Sequence, residues 1–214
     1  MKKYELIIFD FDGTLVDTMG DIAHYANRTL VRYGYSQRQT KEVQRAVGWG
    51  VHELLKKLEP DFGRDEARLE EAVIFFKNAY QKNPVHSTVA YQYVKEMLGG
   101  PLNGINKAIV TNKPQEITMA ILKELKLDPY FLMVIGINAG FPPKPDPAAA
   151  HHIMQALKTS PDKTLFIGDS GIDGETSQNA GVDFGWVDYG YHELMETKPL
   201  FRFSNAAEWA TIFS

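Results

Sequence analysis

The alternation of short apolar runs with helical segments is the feature of this sequence that most limits its fold. Five β-prone runs occur along the chain, at residues 6–9, 108–111, 132–137, 164–168 and 183–187. Helical patterns separate the later runs, at residues 115–125, 148–157 and 173–180. This order predicts an α/β protein with a doubly wound parallel sheet that is covered by helices on both faces. In such sheets, ligands bind beyond the carboxyl ends of the strands.

The stretch from residue 17 to residue 83 interrupts this alternation because it contains only helical patterns. Three helical stretches are expected there: one that Gly34 ends, one around Gly48 and Gly50, and one that Pro84 stops. A block of this kind, inserted directly after the first strand, predicts a helical cap domain at residues 17–83. The remaining residues, 1–16 and 84–214, are then predicted to form the core domain.

Composition excludes several kinds of function. A net charge of −4 with 23% charged residues provides no broad basic field, so no nucleic-acid partner is expected. The apolar run at residues 6–9 ends at Asp10 and is too short for a membrane span or a secretion signal. A cytoplasmic protein with no membrane partner is therefore predicted. The absence of cysteine excludes disulfides, thiolate zinc sites and a cysteine nucleophile. No pattern predicts an oligomeric state.

Four acidic residues follow predicted strands. Asp10 and Asp12 are two residues apart after the first run, so both side chains lean towards the same side. Two carboxylates that lie close repel one another unless a cation or a shared proton relieves them, and Mg²⁺ prefers oxygen ligands. Asp169 ends a later strand, and Asp173 follows on the first turn of the next helix. This pattern predicts a Mg²⁺ site.

Two further strand ends and loops carry groups that suit a phosphate. Thr111 and Asn112 end a strand in "VTNKP", where they offer a hydroxyl and loop N–H groups to an anion. Lys144 lies between prolines in "FPPKPDP", a stiff loop that displays its cation. A carboxylate nucleophile, a metal, a lysine and an acid are the groups that phosphoryl transfer requires. Each alone has a structural explanation, as a turn, a helix cap or a surface lysine; the combination favours chemistry.

Four motifs resemble those of the haloacid dehalogenase-like hydrolase superfamily in their order and spacing: "FDFDGTLVDT", "VTNKP", "KPDP" and "GDSGIDGETSQNAG". The resemblance covers nearly the whole chain and implies a Rossmann-like core with an inserted helical cap. It implies that Asp10 is a nucleophile that forms an aspartyl-phosphate, and that Asp12 protonates the leaving group and then activates water. By the same resemblance, Thr111 and Lys144 hold the phosphate.

The resemblance also implies a metal site. Mg²⁺ would be bound by Asp10, the backbone carbonyl of Asp12 and Asp169, with Asp173 as a further or outer carboxylate. Dehalogenating members lack an acid two residues after the nucleophile, because a halide needs no proton to leave. A general acid is worth roughly 100- to 10,000-fold in rate, so Asp12 favours a phosphatase.

Three segments are similar to a phosphoglycolate phosphatase-like subgroup: "VGWGVHELLKKL", "VTNKPQEI" and "WVDYGYHE". The segments "VHSTVAY" and "GFPP" depart from that pattern. The predicted function is a Mg²⁺-dependent phosphatase for a small phosphorylated metabolite, with 2-phosphoglycolate as the candidate substrate. A phosphosugar mutase, an inorganic pyrophosphatase and a phospho-aspartate receiver module are the alternatives. Arg45, His52 and Lys56 are candidate partners for a second anionic group of the substrate.

Overall fold

The computed structural model describes residues 4–193 and 197–213. Within these residues, the strands in chain order are β1 (Leu6–Phe9), β2 (Val16–Asp17), β3 (Val89–Ala90), β4 (Asn106–Pro114), β5 (Met133–Ile137), β6 (Thr164–Gly168), β7 (Asp183–Val187) and β8 (Phe201–Phe203). The α-helices are α1 (Met19–Arg32), α2 (Thr40–Ala46), α3 (Val51–Leu58), α4 (Glu66–Lys82), α5 (Val94–Gly99), α6 (Gln115–Glu124), α7 (Ala148–Ala156) and α8 (Gly171–Ala180). Short 3₁₀ segments connect several of them.

Six strands form one parallel sheet in the order β5-β4-β1-β6-β7-β8. Strand β1 is a continuous apolar run, as expected for a strand buried on both faces. Its residues alternate between two hydrophobic clusters: Ile7 and Phe9 belong to one, and Leu6 and Ile8 to the other. Helix α6 contributes to the first cluster and helix α7 to the second. The predicted α/β fold with a doubly wound parallel sheet is therefore confirmed.

Three short strands were not predicted from the sequence. Strand β8 has only three residues and extends the sheet beyond β7. Strands β2 and β3 have two residues each and form a separate antiparallel pair, with Val16 opposite Ala90. Runs this short carry too few residues for a period to be read. Strand β4 is also longer than predicted, because it continues beyond Thr111 to Pro114 with a shift of register.

Helices α1 to α4 lie between β2 and β3, and we call them the helical insertion. The expectation of three helical stretches is wrong in one respect, since the middle stretch divides into α2 and α3. The division falls at Gly48 and Gly50, whose φ angles of 120° and 83° are left-handed and cannot continue a helix. Gln39 and Glu42 form a capping box that begins α2. Asp65 begins α4 by accepting a hydrogen bond from the backbone N–H of Arg68.

The chain enters and leaves the helical insertion at a junction between Asp21 and residues 86–88, which we call the hinge. One buried carboxylate holds this junction together. Asp21, in the first turn of α1, accepts backbone hydrogen bonds from His86, Ser87 and Thr88 at 3.1, 2.8 and 3.0 Å. The hydroxyls of Ser87 and Thr88 also donate to it, at 2.7 and 2.6 Å. Gly20 permits this approach, because a Cβ there would overlap Ser87 Oγ. The segment "VHSTVAY" therefore supplies the donors that join the insertion to the sheet.

Among the described residues, no helix combines the length and the apolar composition that crossing a membrane requires.

Candidate active site

Three adjacent strands bring polar side chains together at their carboxyl ends. Asp10 directly follows β1, Asp169 directly follows β6, and Thr111 and Asn112 lie in the last part of β4. Strand β1 pairs with β4 on one side and with β6 on the other. Asp10 therefore lies at the centre of this edge, with the other residues on either side.

Three buried carboxylates surround one buried lysine. Asp10, Asp169 and Asp173 each offer an oxygen, and these oxygens lie within 4.8 Å of one another. Lys144 Nζ lies 2.7 Å from Asp10 Oδ1 and 2.6 Å from Asp173 Oδ1. The structure thus brings together the strand-end carboxylates and the lysine of the "FPPKPDP" loop.

Burial perturbs the acid–base properties of this cluster. Burial first, and then the neighbouring charge of Asp173, raise the pKa of Asp10 to about 7, although Lys144 opposes them. Burial and the charges of Asp173 and Asp10 also hold the pKa of Asp169 well above its ordinary value. Burial alone would lower the pKa of Lys144, but its ion pairs with Asp10 and Asp173 outweigh burial and raise it. The lysine is therefore charged, and the carboxylates repel one another.

This donor set fits a hard divalent cation. When all three carboxylates are ionised, the cluster carries two more negative than positive charges, and its ligand atoms are oxygens. Mg²⁺ prefers carboxylate oxygens and keeps several waters, so it needs few protein ligands. Asp10, Asp169 and Asp173 are the side chains that would hold it.

Asp173 has a second, structural contact. It lies at the third position of α8, where the hydroxyl and the backbone N–H of Ser170 donate to its Oδ2 at 2.6 and 3.0 Å. The backbone N–H of Asp173 donates in return to Ser170 Oγ, which completes a capping box. The helix start fixes one carboxylate oxygen, and the other faces Lys144. The helix-capping explanation and the functional one are thus compatible.

The carboxylate of Asp12 lies outside this cluster and is held separately. Thr18 Oγ1 donates to its Oδ1 at 2.6 Å, and Lys113 Nζ lies 3.1 Å from the same oxygen. Gly13 turns the chain between Asp12 and Thr18 with a φ of 80°. A Cβ at Gly13 would overlap the carboxylate of Asp169, so the turn and the cluster require glycine at this position.

The side chains of Thr111 and Asn112 lie in different environments. Thr111 is buried beside the cluster, and its hydroxyl accepts from the backbone N–H of Lys113 at 3.2 Å. The Asn112 amide accepts from the backbone N–H of Lys144 at 2.8 Å and donates to the Lys144 carbonyl at 3.1 Å. It also donates to the carbonyl of Gly48 in the helical insertion, at 3.0 Å. Because the Asn112 side chain is engaged in these contacts, its backbone N–H is the group that can bind an anion.

A loop after β7 joins these groups, and the sequence analysis missed its role. The backbone N–H of Tyr191 donates to Asp169 Oδ2 at 2.7 Å. The Tyr191 hydroxyl accepts from the backbone N–H of Thr18 at 2.6 Å and lies 3.2 Å from Thr18 Oγ1. Its carbonyl accepts from Gln44 in the helical insertion, at 2.7 Å. Lys113 was missed as well, although it lies within the "VTNKP" motif.

A cavity opens above the cluster, between the sheet edge and the helical insertion. Its floor carries Asp10, Asp12, Thr111, Lys144 and Asp169. Apolar side chains form much of the remaining wall: Ile22, Val47, Val51, Leu54, Phe76 and Ile117. The polar groups that join them include the Lys113 ammonium, the Tyr80 hydroxyl and the His192 ring.

The candidate anion partners in the helical insertion lie away from this cavity. His52 pairs with Glu70 at 2.6 Å on the surface, and Lys56 pairs with Glu53. Arg45 lines a second groove, which it shares with the half-exposed Trp49.

Comparisons with known proteins agree with this arrangement. The family model described as "Haloacid dehalogenase-like hydrolase" matches residues 7–187. A phosphoglycolate phosphatase of Aquifex aeolicus is 33% identical over 95% of this chain and 93% of its own length. A phosphoglycolate phosphatase of Pseudomonas putida is 32% identical over 87% of this chain and 70% of its own length.

A solved structure extends the similarity to the fold. The crystal structure of a predicted phosphoglycolate phosphatase from Haemophilus somnus superposes with a TM-score of 0.91 at 27% identity, and covers 100% of both chains. The family model covers most of the sequence, and the carboxylates and the lysine of the four motifs meet at one sheet edge. The chain belongs to the haloacid dehalogenase-like hydrolase family.

Proposed function

We propose that the protein is a Mg²⁺-dependent phosphatase whose substrate is 2-phosphoglycolate, with the residues of the carboxylate cluster as its catalytic site. Family membership and the curated relatives support phosphomonoester hydrolysis as the activity. The observation that carries the proposal is the position of Asp10, between a lysine that can hold a phosphate and two further carboxylates that can hold a cation. The names of the relatives support the particular substrate.

Asp10 is the proposed nucleophile. One of its carboxylate oxygens attacks phosphorus, the bond between phosphorus and the ester oxygen breaks, and an aspartyl-phosphate forms. Mg²⁺, when bound, offsets the charge repulsion between the Asp10 carboxylate and the phosphate oxygens. Lys144 lies 2.7 Å from Asp10 and can contact the same phosphate. Thr111 and the backbone N–H of Asn112 are proposed to bind the remaining phosphate oxygens.

Asp12 is the proposed general acid and base. It gives a proton to the oxygen of the leaving alcohol and later takes one from the water that attacks the aspartyl-phosphate. Its bonds to Thr18 and Lys113 fix the carboxylate beside Asp10 and apart from the metal-binding oxygens. A proton donor of this kind contributes roughly 100- to 10,000-fold to the rate. The backbone carbonyl of Asp12 is a proposed further ligand of Mg²⁺.

The helical insertion is proposed to act as a cap over the site. In this division, residues 17–83 form the cap domain and residues 1–16 and 84–214 form the core domain. The insertion supplies most of the apolar wall of the cavity. A small phosphorylated metabolite fits this mostly apolar cavity better than a polymer does.

Release of phosphate from a substrate panel tests the proposal. The panel contains 2-phosphoglycolate, hexose phosphates and pyrophosphate, each measured with Mg²⁺ and with EDTA. We expect 2-phosphoglycolate to have the highest kcat/KM, and we expect EDTA to abolish turnover and Mg²⁺ to restore it. Full activity in EDTA would refute the metal assignment. Preferred hydrolysis of pyrophosphate or of a hexose phosphate would refute the substrate assignment and leave the phosphatase chemistry intact.

The variant Asp10→Asn tests the nucleophile. We expect phosphate release to fall to background, because an amide oxygen does not displace the ester oxygen. The melting temperature should not fall, since asparagine has nearly the same size and burial already disfavours the charge of Asp10. Asp128→Asn is a matched control, because Asp128 is exposed and lies outside the cavity. An Asp10→Asn protein with the activity of the control would contradict the assignment.

A further inference from the structure

Lys113 is a buried cation in the wall of the cavity, next to the proposed acid Asp12. It is only 6% exposed, and its Nζ lies 3.1 and 3.3 Å from the two oxygens of Asp12. The Tyr80 hydroxyl lies 3.3 Å away, and the ring of Tyr80 lies 4.6 Å from the same nitrogen. A lysine ammonium has three N–H donors. Among the residues that the structure describes, Lys113 donates hydrogen bonds to Asp12 Oδ2 and to the Tyr80 hydroxyl, so the third donor remains for a ligand.

The cavity wall around Lys113 explains why such a ligand would be an anion. Much of that wall is apolar, from helices α1, α3, α4 and α6. A charge buried in apolar surroundings is costly unless it is paired. Lys144, the other lysine that lines the cavity within the described residues, pairs with two carboxylates, Asp10 and Asp173, and is already assigned to the phosphate of the substrate, whereas Asp12 is the one carboxylate that pairs with Lys113 among these residues. Lys113 is therefore the cation that can compensate a second negative charge of a substrate.

The contact with Asp12 fixes which part of the substrate meets Lys113. Asp12 is the proposed acid, so its carboxylate must contact the ester oxygen that leaves. A group held within about one hydrogen-bond length of Asp12 lies near the first atoms of the alcohol. In 2-phosphoglycolate, the carboxylate carbon is two bonds from the ester oxygen. A carboxylate at that position reaches the space next to the Lys113 ammonium.

We propose that Lys113 is a specificity-determining residue that binds the carboxylate of the substrate. This inference rests on the proposed function and deepens it, because it names the group by which a phosphorylated hydroxy acid is distinguished from a phosphate ester of a neutral alcohol. The inference places the carboxylate-binding group in the proposed core domain. The helical insertion's candidates His52 and Lys56 pair with glutamates instead.

The test compares two substrates that differ in the carboxylate. These are 2-phosphoglycolate and 2-hydroxyethyl phosphate, and kcat/KM is measured for each with the wild-type protein, with Lys113→Met and with Lys123→Met. Methionine keeps the length of the side chain and removes its charge, and Lys123 is an exposed lysine on α6 that serves as the control. A hydrogen bond between charged groups is worth roughly 10- to 100-fold in affinity. We expect Lys113→Met to lower kcat/KM for 2-phosphoglycolate about 10- to 100-fold more than for 2-hydroxyethyl phosphate.

A merely structural role of Lys113, or a role only in holding Asp12, gives a different result. Both substrates would then lose activity equally in Lys113→Met, and this result would overturn the inference. The wild-type protein provides a measurement that does not depend on the folding of a variant. If it hydrolyses both esters with equal kcat/KM, no carboxylate site exists and the inference fails.

The experiment distinguishes a wrong substrate assignment from the absence of a carboxylate-binding site. If the wild-type protein hydrolyses other esters and not 2-phosphoglycolate, the same comparison is made with 3-phosphoglycerate and glycerol 1-phosphate. If the wild-type protein prefers 3-phosphoglycerate and Lys113→Met removes this preference, the inference is supported, although the assignment of 2-phosphoglycolate as the substrate is then wrong. No preference for the acid in either pair would overturn it. Lys113→Arg, which keeps the charge, should retain more of the preference than Lys113→Met.

Discussion

The hinge carboxylate Asp21 should be among the side chains most sensitive to a change of one atom. It is fully buried and accepts five hydrogen bonds, three from backbone N–H groups and two from the hydroxyls of Ser87 and Thr88. The variant Asp21→Asn replaces one of its oxygens by an NH₂ group of nearly the same size. The hydroxyls can rotate and accept from this group, but a backbone N–H cannot.

The cost follows from which oxygen is replaced. Oδ2 accepts from the backbone N–H groups of His86 and Thr88, whereas Oδ1 accepts from that of Ser87 alone. The amide therefore places its NH₂ at the Oδ1 position and leaves the Ser87 N–H without an acceptor, which costs about 1–3 kcal/mol. The hydrogen bonds at the remaining oxygen also become weaker, because this oxygen no longer belongs to a charged carboxylate. We expect a total loss of about 3 kcal/mol of unfolding free energy, or roughly 6–12 °C in melting temperature for a chain of this size.

Thermal unfolding of three proteins measures this effect: the wild type, Asp21→Asn and Asp61→Asn. Asp61 is a matched control, because it is half-exposed and pairs with the exposed Arg64. The same chemical change there should alter the unfolding free energy by less than about 0.5 kcal/mol. A fall of less than about 2 °C for Asp21→Asn, or equal falls for both variants, would refute the argument from the five donors.

The dependence on pH gives a second readout. Burial alone would raise the pKa of Asp21, but the hydrogen bonds from Thr88 and Ser87 outweigh burial and hold the pKa below its ordinary value. A depressed pKa stabilises the folded state above the unfolded value of about 3.9, and this stability is lost as the pH falls through the folded pKa. The difference in unfolding free energy between the wild type and Asp21→Asn should therefore stay constant from pH 7 to about pH 5 and become smaller only below about pH 4. A difference that already narrows at neutral pH would contradict the assignment.

Two further variants test the contacts around the carboxylate cluster. Lys144→Met leaves Asp10 and Asp173 without their ammonium partner. We therefore expect the free energy of unfolding, measured with denaturant in the presence of EDTA, to fall by about 3–5 kcal/mol. A fall of less than about 1 kcal/mol would contradict the pairing. Tyr191→Phe removes the hydroxyl that contacts Thr18, the residue that holds Asp12, so kcat should fall about tenfold with little change in KM. Unchanged kcat would show that Tyr191 does not position the proposed acid, Asp12.

The sequence predicts the sheet and the carboxylate cluster because both depend on local patterns. A run of apolar residues that ends in a carboxylate is visible wherever a buried strand meets the sheet edge, as at Phe9 and Asp10 or at Gly168 and Asp169. Parallel topology then places such ends together, so the positions of the site follow from the order of the strands alone. The strands themselves were found where they were long enough to show an apolar run.

The contacts between distant segments could not be predicted in this way. Tyr191 is separated from Thr18 by 173 positions, and Lys113 is separated from Asp12 by 101. No pattern within either segment indicates its partner, because the contact depends on how the loop after β7 and the end of β4 are placed in space. The hinge is a similar case, since Asp21 looks like an ordinary acidic residue in the first turn of a helix.

Bonds of different strength connect the helical insertion to the core. Near the carboxylate cluster, the Asn112 amide donates to the Gly48 carbonyl and the Gln44 amide donates to the Tyr191 carbonyl. Both bonds join neutral groups, and each is worth about 1 kcal/mol. At the hinge, the buried carboxylate of Asp21 accepts five bonds, and bonds to a charged group are worth about 1.5–3 kcal/mol each. We therefore predict that these two neutral bonds break more readily than the five bonds at the hinge.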